Sequence, residues 1–232
     1  MVAFQAIDRE FCGGTIVGGS WILTAAHCVL RTYDNFVRTE DLFIRVGHGT
    51  RDEEVYPVRR IVVSRMFNIT TFRHDIALIQ KFRFRNPSES PATSNAFVSR
   101  RTTYHQEGPP RQWVSDTQVG STCVSPHDQH SVGGVFSASR RLMEVTGRVK
   151  PSKCRHPNFH QKENLCFVAD DASVCDGDSG GPLLSGSFQV GIVSRALTTC
   201  PPEGPGIFTK VPYYCDAIKR LTDGDVACGR CF

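Results

Sequence analysis

The sequence lacks long apolar runs: no uninterrupted hydrophobic stretch in its 232 residues approaches the roughly 20 residues that a membrane-spanning helix needs. Charge of one sign is not in large excess either, because 27 lysines and arginines face 23 acidic residues and leave a formal net charge of +4. This balance gives no reason to expect a nucleic-acid partner. No repeat recurs at a fixed period, and 40% hydrophobic with 22% charged residues is ordinary for a globular protein.

A secretory leader is also missing from the start of the sequence, where Met1-Val2-Ala3-Phe4 has neither a basic region nor a long apolar core. Taken alone, this absence favours the cytoplasm. The ten cysteines favour an oxidising compartment instead. A secreted protein of this size pairs so many cysteines as disulfides, whereas a cytosolic protein carries them mainly for metal or redox chemistry. The motifs decide between these two signals.

Short β-like stretches separated by turns make up most of the chain, and they predict an all-β protein. The predicted strands are rich in Val, Ile and Phe and are bounded by turn-forming residues. They cover residues 14–17, 21–24, 42–46, 56–63, 76–84, 143–149, 189–193 and 206–211. A short helix is predicted at residues 213–221. Most of residues 85–122 is predicted as a surface loop or insertion, because the segment is polar, carries several prolines and shows little apolar periodicity.

Three segments together carry a recognisable chemistry. They are Thr24-Ala25-Ala26-His27-Cys28, then His74-Asp75-Ile76-Ala77-Leu78, and then Gly177-Asp178-Ser179-Gly180-Gly181-Pro182. A serine hydroxyl is a poor nucleophile until a base takes its proton, and histidine is the suitable base near neutral pH. Each segment alone is more often structural. In this order, the three supply a base, an orienting carboxylate and a nucleophile whose flanking glycines bring N–H groups together for an oxyanion.

With these motifs the chain resembles the trypsin/chymotrypsin-type serine proteases over residues 1–221. The resemblance implies two packed six-stranded antiparallel β-barrels with a short C-terminal helix and an active site in the cleft between them. One protease domain of residues 1–232 would then divide into an N-terminal barrel (about 1–84), a crossover (85–122), a C-terminal barrel (123–211) and a C-terminal helix and tail (212–232).

The same resemblance assigns the site residues. His27 is implied as the general base, Asp75 as its orienting carboxylate and Ser179 as the nucleophile. The N–H groups of Gly177 and Ser179 are implied as the oxyanion hole. The implied reaction is the cleavage of peptide bonds by a secreted endopeptidase through an acyl-enzyme.

The substrate pocket also follows from the matching motifs. Ser173 takes the floor position where trypsin-like members have Asp, and Ser194, Ala196 and Gly206 line the walls. A serine floor with small walls implies an uncharged side chain at P1, the substrate residue whose carbonyl is attacked. The acidic residues of the segment 170–176 leave open an attraction for a basic P1. Arg195 departs from the family, which usually has tryptophan there.

The beginning of the chain departs most from the family. Active members start with a freed Ile-Val-Gly-Gly segment whose ammonium group pairs with the residue equivalent to Asp178, whereas Met1-Val2-Ala3-Phe4-Gln5 resembles the first strand downstream of that segment. Two explanations remain open. The sequence is a piece of a longer secreted precursor, or it is a catalytically silent homologue that acts as a binding or regulatory module.

By resemblance, the cysteines form three disulfides: Cys12–Cys28, Cys154–Cys166 and Cys175–Cys200. Cys123, Cys215, Cys228 and Cys231 remain without assigned partners. Asn68 opens an N-glycosylation sequon, which fits an extracellular protein.

No metal or other cofactor is predicted, and the predicted partners follow from the protease resemblance. The protein is expected to be a secreted monomer that acts on protein or peptide substrates and meets protease inhibitors. No nucleic acid and no membrane span are expected. Paired arginines such as Arg59-Arg60 add an anionic polysaccharide as a further candidate partner, against the simpler interpretation of a solvated face.

Overall fold

The computed structural model describes residues 2–6, 9–32, 35–47, 53–82, 97–99, 117–123, 138–170, 172–175, 177–186, 188–196 and 204–229. The strands in these ranges are β1 (Val2–Ala6), β2 (Arg9–Ile16), β3 (Trp21–Thr24), β4 (Leu30–Thr32), β5 (Asn35–Phe36), β6 (Leu42–Val46), β7 (Glu54–Val63), β8 (Ala77–Lys81), β9 (Phe97–Ser99), β10 (Thr117–Cys123), β11 (Ala138–Val149), β12 (Asn164–Val168), β13 (Pro182–Ser185), β14 (Phe188–Arg195), β15 (Gly206–Lys210) and β16 (Cys228–Gly229). One α-helix, α1 (Cys215–Leu221), lies within the described ranges, which also hold 3₁₀ turns at Ala26–Val29, Thr39–Asp41, Pro151–Lys153 and Val211–Tyr214.

The first barrel closes around side chains that most of its strands turn inward. In β6, Leu42, Ile44 and Val46 are buried and the residues between them are half-buried, as alternation along a strand requires. Strand β3 is buried along its whole length between β2 and β8. Antiparallel pairing in the order β1-β2-β3-β8-β7-β6 closes the barrel. Its largest fully buried side chains, each worth about 1.5–3 kcal/mol on burial for the aliphatic and Phe members, include Phe4, Trp21, Ile22, Leu23, Leu42, Ile44, Leu78 and Ile79.

The second sheet forms a ring of its own. Its strands follow the order β13-β10-β11-β12-β15-β14-β9-β16, and an additional pairing between β13 and β14 joins the first six into a closed circuit. Strands β9 and β16 add parallel pairings beyond β14. A smaller core that includes Phe167, Leu183 and Phe208 lies within this ring. The predicted all-β fold with two barrels and a C-terminal helix is confirmed.

Individual elements differ from the sequence prediction in their bounds. The predicted strands at 21–24 and 42–46 match β3 and β6, whereas β7 and β11 begin earlier than predicted. The loop prediction is wrong for residues 97–99, where β9 pairs with β14 and β16, and for residues 117–122, where β10 pairs with β11 and β13. The predicted helix at 213–221 is a 3₁₀ turn that continues into α1. No helix among the described residues is long and apolar enough to cross a membrane.

Candidate active site

His27 lies on the 3₁₀ turn that follows β3, and the sequence around it fixes that turn. Thr24 Oγ1 donates a hydrogen bond to the Gly13 carbonyl oxygen over 2.8 Å, which ties the end of β3 to β2. The next residue after the histidine, Cys28, forms a disulfide with Cys12 of β2. The His27 side chain is 17% exposed, whereas the alanines and Cys28 around it are buried. The imidazole is therefore mostly enclosed and keeps part of its surface accessible.

Asp75 precedes β8 and is fully buried, and its oxygens all have partners. Oδ2 lies 2.8 Å from His27 Nδ1, and Oδ1 accepts a hydrogen bond from the His27 backbone N–H over 2.9 Å. Ser194 Oγ donates to Oδ2 over 2.6 Å, and Thr209 Oγ1 donates to the Asp75 carbonyl oxygen over 2.8 Å. A buried carboxylate is costly unless it is hydrogen-bonded, and these bonds meet that requirement. They also connect the two barrels at Asp75.

The pairing of His27 with Asp75 determines how the imidazole can act. Because the carboxylate accepts from Nδ1–H, the neutral ring presents Nε2 as its basic nitrogen. Nε2 lies 3.9 Å from Cys28 Sγ. Within the described residues no hydrogen bond joins Nε2 to the Ser179 hydroxyl, a bond that often tightens only when substrate is bound.

Ser179 lies on a tight loop that backbone hydrogen bonds hold against both barrels. The Gly13 N–H of β2 donates to the Ser179 carbonyl oxygen over 2.8 Å, and the Gly180 N–H donates to the Val193 carbonyl oxygen of β14 over 2.8 Å. Gly180 has a φ of +79°, and a Cβ there would lie 2.3 Å from both the Gly13 oxygen and Thr24 Oγ1. Only glycine meets both constraints. The loop thus places Ser179 beside the turn that carries His27.

The sequence-predicted pocket residues lie around the ends of two paired strands. Arg195 of β14 pairs with Ile207 of β15, which places Ala196 near Gly206. A Cβ at Gly206 would lie 2.5 Å from Val174 Cγ2, the neighbour of Ser173 in the chain. The structure therefore brings Ser173, Ala196 and Gly206 into one region, and Ser194 is buried beneath it against Asp75.

Arg195 lies over the ring of Phe72 beside His27, a contact that sequence reasoning did not predict. Its guanidinium carbon lies 5.3 Å from the centroid of the Phe72 ring, which lies 5.4 Å from that of His27. Arg195 Nη2 donates to the Asn158 carbonyl oxygen over 3.2 Å, and Nε is buried without a hydrogen-bond partner. Burial lowers the pKa of Arg195, whereas the charge of Asp75 raises it.

A second polar cluster next to the site was also missed. His74 Nδ1 lies 3.1 Å from the Tyr214 hydroxyl, and His74 Nε2 lies 3.8 Å from Glu163 Oε2. Arg73 forms an ion pair with Glu163. Burial alone would raise the pKa of Glu163, but the hydrogen bond from Arg73 and the nearby positive groups outweigh it and lower the pKa. Burial raises the pKa of Tyr214 far above its ordinary value. No local sequence pattern connects these residues.

The disulfides lie around these clusters. The structure joins Cys12 to Cys28, Cys154 to Cys166 and Cys215 to Cys228. The third bridge pairs two of the four cysteines to which the sequence analysis assigned no partner. Cys175 is disulfide-bonded, but Cys200, Cys231 and the side chain of Cys123 lie outside the described residues. Asn68 is exposed on a turn, where its Oδ1 accepts from the Thr71 N–H over 2.9 Å.

Two β-barrels that meet at a histidine–carboxylate pair, with a serine on a glycine-bounded loop beside it, define a serine protease domain. Comparison with known proteins gives the family. The family model described as Trypsin matches residues 1–218, so the chain belongs to the trypsin family of serine proteases.

Two relatives differ in how much of their own length the chain covers. The chain is 30% identical to a trypsin from Phaedon cochleariae over 96% of its own length and 83% of that protein. It is 31% identical to tissue-type plasminogen activator from Homo sapiens over 91% of its own length, but it spans only 39% of that protein.

Proposed function

We propose that this protein is a secreted serine endopeptidase, with His27, Asp75 and Ser179 as its catalytic residues. The observation that carries the proposal is the buried Asp75 carboxylate, which accepts from both His27 and Ser194 and so orients the imidazole beside the Ser179 loop. Disulfides in the structure and the exposed sequon at Asn68, a candidate glycosylation site, support secretion. The whole chain, residues 1–232, is proposed to act as one protease domain with no cofactor.

The proposed mechanism has two half-reactions. His27 Nε2 takes the proton from Ser179 as the hydroxyl attacks the scissile carbonyl, and Asp75 stabilises the imidazolium. The N–H groups of Gly177 and Ser179 stabilise the oxyanion, where the loss of one donor costs about 2.7–4 kcal/mol. His27 then gives the proton to the departing amine. Water, activated by the same base, releases the acyl group and restores Ser179.

The proposed pocket accepts an uncharged P1 side chain. Ser173 carries no charge, and Gly206 adds no side chain to the wall, where a Cβ would lie only 2.5 Å from Val174 Cγ2. A panel of fluorogenic peptides that differ only at P1 tests this assignment. Faster cleavage after Ala, Val, Leu or Phe supports it, and a preference for Lys or Arg contradicts it.

Covalent labelling tests the enzymatic function itself. The protein is expressed from its complete natural reading frame, activated by proteolysis if it is a precursor, and treated with a fluorophosphonate. Stoichiometric modification of Ser179, abolished in Ser179→Ala, is the expected result. Circular dichroism confirms that both proteins are folded. A folded, complete protein that is not labelled would show that the enzyme assignment is wrong.

A catalytically silent homologue that binds a partner is the second candidate. The half-buried Arg195, positioned over Phe72 beside His27, favours it, because a cation there narrows the cleft for a peptide. The same labelling experiment separates the two, and binding of standard serine protease inhibitors adds an independent measure of an open site.

A further inference from the structure

The positive charge of Arg195, which lies beside His27, has few interactions that offset its burial. Arg195 is half-buried, its Nε atom has no hydrogen-bond partner, and its Nη2 donates only to a neutral carbonyl oxygen of Asn158. Among the residues that the structure describes, no carboxylate forms a salt bridge with it. The charge of Asp75 acts on it and raises its pKa, yet the carboxylate oxygens of Asp75 are occupied by His27 and Ser194. A half-buried charge without a counter-ion is stabilised by any ligand that supplies one.

The position of this cation relates it to a substrate. One aromatic ring, that of Phe72, separates the guanidinium from the His27 imidazole. An extended peptide advances about 3.3 Å per residue, so side chains within a few residues of the attacked bond come within reach of Arg195. The cation therefore lies where it can meet the substrate near the reaction.

The alternation of side chains indicates which substrate residues are involved. Ser194 and Ala196 flank Arg195 in the chain and belong to the proposed P1 pocket, whereas the Arg195 side chain lies over Phe72. In an extended substrate, the P1 side chain enters the pocket, and successive side chains point to opposite faces. P2 and P4, the first and third residues before P1, are therefore the ones that face Phe72 and Arg195.

We infer that Arg195 makes this cleft selective for substrates that carry Asp or Glu at P2 or P4. The inference rests on the proposed function, since it names the substrate class of the same site. Nε is buried and Nη2 donates to the Asn158 carbonyl oxygen, so the N–H groups of Nη1 are the ones left for a carboxylate. The planar guanidinium is preorganised, so less entropy is lost per hydrogen bond when the carboxylate binds.

Matched peptide pairs test this selectivity. Fluorogenic peptides share the best P1 residue and carry Asp or Asn at P2, or Asp or Asn at P4. The kcat/KM for Asp is expected to exceed that for Asn by about tenfold at one of the two positions, which equals about 1.4 kcal/mol. The ratio should shrink as salt is raised to about 1 M, because screening weakens the pairing.

Two variants show whether Arg195 is responsible. In Arg195→Gln the Asp/Asn ratio should fall to near one, whereas Arg220→Gln, which removes an exposed charge from α1, should leave it unchanged. Equal kcat/KM values for Asp and Asn at both positions in the unaltered protein would overturn the inference. A ratio that survives in Arg195→Gln, or an equal rise for all peptides in that variant, would do so as well.

A binding measurement keeps the inference separate from the enzyme assignment. The affinities of the same peptides for Ser179→Ala protein are measured by fluorescence anisotropy, which requires no turnover. Tighter binding of the Asp peptide, lost when Arg195→Gln is added, supports the inference even if fluorophosphonate fails to label Ser179. Labelling of Ser179 together with equal affinities leaves the endopeptidase standing and rejects the role of Arg195.

Discussion

Two histidine–carboxylate clusters lie on either side of one peptide bond, because His74 belongs to one and Asp75 to the other. The first cluster pairs Asp75 with His27, and the second pairs His74 with Glu163. Each cluster connects the two barrels. Asp75 accepts from Ser194 of β14, and Arg73 and His74 face Glu163, which directly precedes β12. Residue types alone would assign the same chemistry to both.

Their geometry separates them. The first pair is close, with 2.8 Å between Nδ1 and Oδ2, and Nε2 of its histidine remains for the Ser179 loop. In the second, 3.8 Å separates Nε2 from Oε2, and Tyr214 occupies the other ring nitrogen. His74 is buried, whereas His27 keeps part of its surface accessible. With Tyr214 on Nδ1 and Glu163 facing Nε2, the arrangement of His74 favours a structural role. Nε2 of His27 is directed to no carboxylate among the described residues, so His27 can act as a base.

Replacing the carboxylate in each cluster gives the largest expected contrast. Asp75→Asn should lower kcat by about 10,000-fold, as is known for triads of this class, because the amide stabilises the wrong tautomer of His27 and cannot stabilise the imidazolium. Glu163→Gln should keep kcat within about tenfold, because Glu163 contacts none of the reacting atoms. Steady-state kinetics on the best peptide substrate measure both. Comparable losses in the two variants would contradict the division between chemistry and structure.

Ser194→Ala is expected to have the next largest effect on the first cluster. It removes the 2.6 Å hydrogen bond to Asp75 Oδ2, and bonds to charged groups contribute about 1.5–3 kcal/mol. The kcat/KM should therefore fall about tenfold to a hundredfold. Thr209→Val is the matched control, because Thr209 bonds only the backbone oxygen of Asp75 and its loss should affect stability more than turnover. An unchanged kcat/KM in Ser194→Ala would show that His27 alone orients the carboxylate.

Local sequence signals predicted those strands whose own residues show a clear alternating or continuous apolar pattern. The alternation in β6 and the apolar run of β3 gave the observed bounds. Strand β12 was missed, because four of its five residues are defined by pairing with β15, about 40 residues along the chain. Strand β10 was missed for the same reason: few of its residues are apolar, and it depends on β11 and β13.

The candidate site divides in the same way. His27, Asp75 and Ser179 stand in short motifs, so a single sequence shows them. Phe72 and Glu163 stand in no motif, and the contact of Glu163 with Arg73 spans 90 positions of the chain. The Cys215–Cys228 bridge could not be chosen from four unassigned cysteines, because pairing depends on distances that only the fold supplies.

The stability of the second cluster should depend on pH. The pKa of Glu163 is lowered in the folded protein, so its contribution to the free energy of unfolding is present above the unfolded pKa and is lost as pH falls through the folded value. At neutral pH, Glu163→Gln should lower the free energy of unfolding by about 1–2 kcal/mol. From about pH 5 downward, the difference between the two proteins should close. Urea unfolding at several pH values measures it, and a constant difference would contradict the ionised role of Glu163.

Tyr214→Phe is expected to have the smallest effect and tests the second cluster most finely. It removes only the hydroxyl that lies 3.1 Å from His74 Nδ1, and the buried nitrogen loses its partner, which costs about 1 kcal/mol in the free energy of unfolding. Tyr213→Phe is the matched control, since Tyr213 is 51% exposed and should change stability by less than about 0.5 kcal/mol. Because the Tyr214 hydroxyl contacts His74 and not Asp75, kcat should equal that of the unaltered protein. A loss of kcat without a loss of stability would mean that the two clusters act as one network across the peptide bond they share.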